Sequence, residues 1–341
     1  MDMFTIAVNG SYPRLLDPPR PQLLQRAIEN FRQGRITERE LKRAKDRATV
    51  DAVAEMVAAG VELVSDGQVR WENPMIHICR ELGGFAVKDD YQESDNGHYK
   101  PRAVERIKWT HPILLDDYRF LQDRSPVEVR PVLTGPFSLA RLCDPGVYGD
   151  DTSSFANDLA DALNRELMGL EAGGFKYILV EEPLIASNKD KITAFVETAN
   201  LLCNSVKAKV MLCTFGGDMV GIEDELNETP FSGFSFDLCD GPENERLLAV
   251  DTMWKDRILQ LGLVHSRKLE VERPTDIART LLKVAQFHDP ELIWAAPSAG
   301  LGFLPRDVAF AKLKSLYTGA DRARREIARL ERPGGSLPGQ R

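Results

Sequence analysis

Apolar residues along the chain gather into eight short runs rich in β-branched and aliphatic side chains. They span Phe4 to Asn9, Val61 to Asp66, Val127 to Thr134, Tyr177 to Glu181, Lys209 to Thr214, Gly233 to Leu238, Ile258 to His265 and Leu292 to Pro297. Runs of this length and composition predict strands, and most are separated by stretches of helical period. The clearest helix opens at Thr152 and Ser153, carries Leu159, Leu163, Leu167 and Leu170 on one face, and stops at Gly173-Gly174. Glycine there is the expected C-terminal cap. Further helices are predicted over Gln22 to Arg32, Glu38 to Ala59, Ile192 to Leu202, Pro274 to Gln286 and Arg306 to Leu316.

Strands alternating with helices favour parallel pairing through right-handed crossovers. Eight units over about 300 residues predict an α/β fold of the (β/α)8 TIM-barrel type. A doubly wound open sheet is the rival, and it would usually carry a glycine-rich phosphate turn. Neither G-x-G-x-x-G nor G-x-x-x-x-G-K-[ST] occurs. Residues Gly67 to Arg124 hold the second and third strands about 60 residues apart, which predicts an insertion between them. Within it, Gly84-Phe85-Ala86-Val87 and His98-Tyr99-Lys100 flank the polar stretch Lys88 to Gly97. That pattern predicts a hairpin-like excursion on the barrel's C-terminal face, where lids are built. One domain is expected over residues 1–330. The Pro- and Gly-rich end, 331–341, is expected to be a flexible tail.

Composition narrows the partners. Of 341 residues, 43% are apolar and 28% charged, globular proportions with ample length for a large core. With 44 basic against 52 acidic side chains the net charge is −8, so the chain lacks the basic field that nucleic acid or an anionic membrane attracts. No apolar run approaches the roughly 18 to 20 residues that cross a bilayer, and the opening MDMFTIAVNG has no leader-like pattern. A soluble, cytoplasmic protein is expected. Five cysteines, odd in number and without a C-x-x-C pair, predict reduced thiols, and the five histidines form no H-x-x-x-H pair.

In a barrel the chemistry collects at the C-terminal strand ends. Read in order, those ends are Asn9-Gly10-Ser11-Tyr12, Asp66-Gly67-Gln68-Val69-Arg70-Trp71, Thr134-Gly135-Pro136, Glu181-Glu182-Pro183, Cys213-Thr214-Phe215-Gly216, Asp237-Leu238-Cys239-Asp240, His265-Ser266-Arg267 and Pro297-Ser298-Ala299-Gly300. At least one of Glu181 and Glu182 should point into the mouth, either ion-paired with Arg70 or Arg267 to hold loops, or in binding and acid–base work. Asp66 is a loop cap or a ligand-binding group, and Gly135-Pro136 shapes the wall. His265 is structural or catalytic. Cys213 and Cys239 are buried small apolar residues or metal ligands.

Five strings in order, N-G-S-Y-P-R, D-G-Q-V-R-W, L-T-G-P, V-E-E-P-L and S-A-G-L-G-F-L-P-R, resemble the catalytic barrel of cobalamin-independent methionine synthases, above all the short archaeal-type members. The likeness runs from Asn9 to Arg306. It implies methyl transfer from a folate or methyl-corrinoid donor, with a corrinoid protein as a possible partner, to a small thiol such as homocysteine. A bound zinc would stabilise the thiolate. Carried over, Ser11, Gln68 and Glu181 would hold the amino-acid end, with Gln68 standing where the full-length enzymes usually have Glu. Asp66, Arg70, Thr134 and Arg267 would complete the substrate site, and a donor would dock near Leu133 to Pro136 and the insertion's His98 and Tyr99.

The zinc strings depart from the family. The strand-eight cysteine position is Ala299, and the His-x-Cys of strand five is lost. What remains is Cys213, Asp237 and Cys239, so the reading is a barrel that kept the substrate pocket and lost the inherited metal, with a rebuilt three-ligand zinc site as the alternative. The thiolate would then need a base, Glu182 or His265, or the field of Arg70 and Arg267. Two other readings stay open: a metal-independent lyase or decarboxylase of the same barrel superfamily, using arginines and an acid, and a non-catalytic ligand-binding relative.

Overall fold

The computed structural model describes residues 3–14, 22–88, 99–249 and 254–330. The predicted tail at 331–341, most of the Lys88–Gly97 stretch and His98 lie outside them. Among the described residues eleven strands follow one another as β1 Thr5–Ile6, β2 Leu63–Val64, β3 Gly83–Ala86, β4 Arg102–Lys108, β5 Glu128–Val129, β6 Val132–Thr134, β7 Tyr177–Glu181, β8 Lys209–Cys213, β9 Gly233–Asp237, β10 Ile258–Val264 and β11 Ile293–Pro297. Seven form one parallel sheet in the order β1-β11-β10-β9-β8-β7-β6.

The pair β2-β5 is also parallel and stands between the outer strands of that sheet. A lone bridge joins Ala7 to Leu63, and β5 runs into β6. The predicted third strand is thus one run broken at Arg130-Pro131. Proline has no N–H to give the ladder, although its carbonyl still accepts from the Leu179 N–H at 2.9 Å. The result is an α/β fold built on a curled parallel sheet.

Strand alternation sorts the apolar side chains into two cores. Ala7, Leu63, Val132, Leu179, Met211 and Trp294 fill the inner face. Their neighbours Ile6, Val64, Leu133, Val180, Leu212 and Phe236 point outward against the helices. Thr152–Ala172 matches its predicted span, and it starts where the Asp151 carboxylate accepts from the Ser154 N–H at 3.0 Å. The final helix runs Arg306–Leu330, well past the predicted Leu316. Its second half packs through Gly319, Ala320 and Ala323, small residues that leave little periodic signal among the arginines. All five cysteines are free thiols.

Between β2 and β5 lie two helices, Pro74–Glu81 and Leu115–Gln122, and the antiparallel pair β3-β4. That pair leans on an outer helix. Phe85 meets the Phe155 ring edge-on, and Arg106 pairs with Asp158 at 2.9 Å. Tyr99 is tied to its own hairpin, accepting from the Lys88 N–H at 2.6 Å. The described part of the hairpin therefore packs sideways rather than over the strand ends.

Leu163 is fully buried on the long amphipathic helix. Leu163→Ala should cost about 2 to 4 kcal/mol in urea unfolding, and a loss under about 1 kcal/mol would contradict this packing.

Candidate functional site

The loops after β1, β2, β7, β8, β10 and β11 enclose a cavity of about 530 Å³, with Ser11, Gln68, Glu181, Phe215, Arg267 and Ala299 in its wall. Glu181 ends β7 and, by alternation with Leu179, faces the sheet's inner side. It is 8% exposed, and burial pushes its carboxyl up to about 7 against the opposing influence of Gln68, Arg130 and Arg267. Gly10 makes this corner possible. A Cβ there would lie 2.7 Å from Gln68 Nε2 and 2.9 Å from Glu181 Oε1.

Gln68 sits in the left-handed region at φ 52°, and its N–H donates to Asp66 Oδ1 at 3.0 Å. A non-glycine residue held there stores strain of order 1 kcal/mol. Ser11 joins two of the sequence strings. Its carbonyl accepts from the Leu301 N–H at 2.7 Å and its Oγ from the Gly302 N–H at 3.3 Å. Arg267 is exposed on one side, lies 4.1 Å from the Phe303 ring centre and donates to the Gly300 carbonyl at 3.4 Å.

Other predicted residues are committed elsewhere. Glu182 faces away from the cavity and holds the helix Pro136–Leu142. Its Oε1 accepts from the Phe137 N–H at 3.0 Å and its Oε2 from the Ser138 N–H at 2.7 Å. Burial raises this carboxyl to about 7, offset by Ser138. A Cβ at Gly135 would lie 2.1 Å from Glu182 Oε1, so L-T-G-P and V-E-E-P-L interlock. His265 opens on a different cleft, with Nε2 3.1 Å from Asp240 Oδ1 and Nδ1 accepting from the Arg267 N–H at 3.1 Å. Neither Glu182 nor His265 stands where it could take a proton from a ligand beside Glu181.

Arg70 turns into a separate cleft, pairing with Asp46 and, at 3.3 Å, with Asp117 over the Phe120 ring. Asp66 is wholly buried behind the wall and also accepts from the Tyr118 hydroxyl at 2.8 Å. Thr134 ends β6 opposite Glu181 in register but does not line the cavity. Phe215 and Phe303 line it unannounced by any polar pattern.

The three proposed metal ligands do not form a donor set. Cys213 is fully buried on the inner face, and burial first, then Glu181, pushes its thiol far up. Asp237 accepts three backbone N–H bonds, from Gly216 at 3.1 Å, Cys239 at 2.8 Å and Asp240 at 3.0 Å. Cys239 donates to the Gly262 carbonyl at 3.4 Å, and burial pushes its thiol up to about 12. A tetrahedral zinc needs three or four converging donors, and among the described residues no three His, Cys, Asp or Glu side chains converge in this way. The residues present do not fit the metal.

Residues 91–289 match the model of the cobalamin-independent synthase N-terminal domain, more than half the chain. The chain belongs to the cobalamin-independent synthase family. Family membership makes it an enzyme of the methyl-transferring kind. It is 28% identical over 322 residues to a methionine synthase of Sulfurisphaera tokodaii, covering 94% of this chain and 92% of that protein. The Pyrococcus horikoshii methionine synthase is 27% identical over 328 residues, 95% of this chain and 94% of that one. A B12-independent methionine synthase structure from a Shewanella species superposes with a TM-score of 0.81 at 19% identity, covering 96% of this chain and 99% of that one. A putative B12-independent methionine synthase from Listeria monocytogenes gives 0.74 at 17%, covering 94% and 99%. At those identities the two structures speak for the fold alone. No described helix is long and apolar enough to cross a membrane.

Two measurements follow from this geometry. Protein purified without added metal or chelator should carry well under one zinc per chain by elemental analysis; stoichiometric zinc lost in Cys213→Ser would restore a metal site. Asp66 is held at about 6, above the ordinary 3.8, chiefly by burial. Its ionised form therefore burdens the fold increasingly as pH rises through 4 to 6. Asp66→Asn should raise stability at pH 8 relative to pH 4 by on the order of 2 to 3 kcal/mol, read from melting curves at both pH values.

Proposed function

We propose that the protein is a methionine synthase-like methyltransferase, moving a methyl group from a folate or methyl-corrinoid donor to a small thiol such as homocysteine. We also read its curled sheet as a (β/α)8 barrel over residues 1–330, with the segment between β2 and β5 as an insertion. The observation that carries the functional reading is the cavity in which Glu181 and Arg267 face a common space without an ion pair between them. A carboxylate and a guanidinium so arranged suit a zwitterionic amino acid. Glu181 would take the ammonium, Arg267 the carboxylate and Ser11 a further hydrogen bond, while Phe215, Ala299 and Phe303 suit the thioether or thiol end. The Shewanella structure has selenomethionine bound, in keeping with such a ligand.

In the transfer, a lone pair on the acceptor sulfur attacks the donor methyl carbon. The S–C bond forms as the bond to the carrier breaks, and the carrier keeps that electron pair, on cobalt for a corrinoid or on a nitrogen that takes up a proton from solvent for a folate. The thiol proton leaves to solvent, since Glu182 and His265 are engaged elsewhere. Arg70, paired with Asp46 and Asp117, contributes little to thiolate formation. With a methyl-corrinoid as donor, the docking partner would be a corrinoid protein.

Calorimetric titration tests this reading. Methionine should bind, and about tenfold more tightly at pH 8 than at pH 6, because Glu181 loses its proton near 7 and only the carboxylate attracts ammonium. Glu181→Gln should lower affinity at pH 8 at least tenfold and flatten the pH dependence. Methionine should form from homocysteine with methyl-folate or methylcobalamin as donor. Absent binding, or an unchanged E181Q, would overturn the reading.

A further inference from the structure

Arg130 lies in the apolar run of the broken third strand, fully buried on the inner face of the sheet. Its Nη1 donates to Gln260 Oε1 at 2.8 Å and its Nη2 to the Val8 carbonyl at 2.8 Å, while its Nε has no partner. Gln260 in turn donates to Asn9 Oδ1 at 2.6 Å and Ser235 Oγ at 2.7 Å. Each contact is to a neutral group. Among the described residues Arg130 has no ion-pair partner, which is costly for a buried charge.

Register locates that charge. Glu181 pairs with Cys213, Cys213 with Ser235, and Ser235 with Gln260, so the four share one level of the sheet. By bonding Gln260, the Arg130 guanidinium comes to the level from which the Glu181 side chain rises toward the cavity. Glu181 is faced by Gln68 from the β2 loop, Cys213 from β8, Arg130 from the broken strand and Arg267 from the β10 loop. Arg130 is faced by Cys213, Tyr118 and Glu181, and although burial lowers it to about 10 it stays charged at neutral pH.

We propose that Arg130 is the positioning residue of this site: its uncompensated guanidinium beneath Glu181 favours the ionised carboxylate over the protonated acid, so that near neutral pH the cavity presents negative charge to a cationic group of the ligand. Arg130 touches no ligand and is sealed under the cavity floor. The proposal deepens the amino-acid reading and rests on it for the identity of the cation. Without the guanidinium, burial would be opposed only by Gln68 and Arg267, and Glu181 would hold its proton to higher pH.

The experiment compares the parent with two neutral variants, Arg130→Gln and Arg130→Met, and the charge-keeping Arg130→Lys. A neutral variant with the parent's circular dichroism spectrum is taken forward. First, the Glu181 side-chain carboxyl is titrated without ligand by carbon-13 NMR of glutamate-labelled protein, assigned by difference from E181Q. The midpoint should rise by at least one pH unit in the neutral variant and stay near the parent's in R130K. Equal midpoints in all three proteins would overturn the proposal. Second, methionine and its desamino analogue, 4-(methylthio)butanoate, are titrated at pH 7. The neutral variant should lose about fivefold affinity for methionine and stay within twofold for the analogue. Equal losses for both ligands would make Arg130 merely structural and overturn the proposal. A parent that binds no methionine would sink the amino-acid reading, while the NMR midpoints still decide the role of Arg130.

Discussion

A parallel sheet that curls on itself has an inner face to fill, and the way this chain fills it governs the rest of the structure. Toward the N-terminal ends the filling is apolar, with Leu63, Val132, Leu179 and Met211. One level higher it turns polar, with Asn9, Arg130, Ser235 and Gln260 joined by hydrogen bonds of 2.6 to 2.8 Å. Buried polar groups persist only when satisfied, and here satisfaction requires residues from strands far apart in the chain. The network therefore ties the sheet together under the very floor on which Glu181 stands.

Above that floor, pairs of strand-end strings depend on one another. Glu182 spends both oxygens on the backbone that follows Gly135, and the glycine has no side chain because the carboxylate occupies its space. Ser11 is bonded to the loop carrying Ala299 and Gly300. Asp66 supports the turn that presents Gln68 and is itself braced by Tyr118. Several of the most distinctive residues thus build the cavity rather than line it. Their polar character reflects the cost of orphaned backbone groups at sharp turns as much as any chemistry.

The strand runs were legible because a buried strand must be nearly continuous in apolar residues, and Tyr177–Glu181, like the helix Ile192–Leu202, falls where the pattern sets it. The break at Arg130-Pro131 was visible only as an arginine and a proline inside such a run. The reach of the last helix was hidden because its packing uses Gly319, Ala320 and Ala323, which give little hydrophobic contrast. In the site, Ser11, Gln68, Glu181 and Arg267 were legible as polar residues at strand ends. Phe215 and Phe303 were not, since apolar residues announce nothing by type.

By itself the sequence determined the alternation of strands and helices, the set of strand ends that could bear chemistry and the missing cysteine at Ala299, because each depends on residue type at a local spacing. Only the tertiary structure decided which of two adjacent carboxylates enters the cavity. Strand alternation turns Glu181 inward and Glu182 outward, and the neighbouring helix then claims Glu182. It likewise decided that Asp237 and Cys239 bond to backbone and that Arg70 pairs with Asp46. A side chain's role depends on the groups within a few ångströms of it, and those come from segments brought together only by folding.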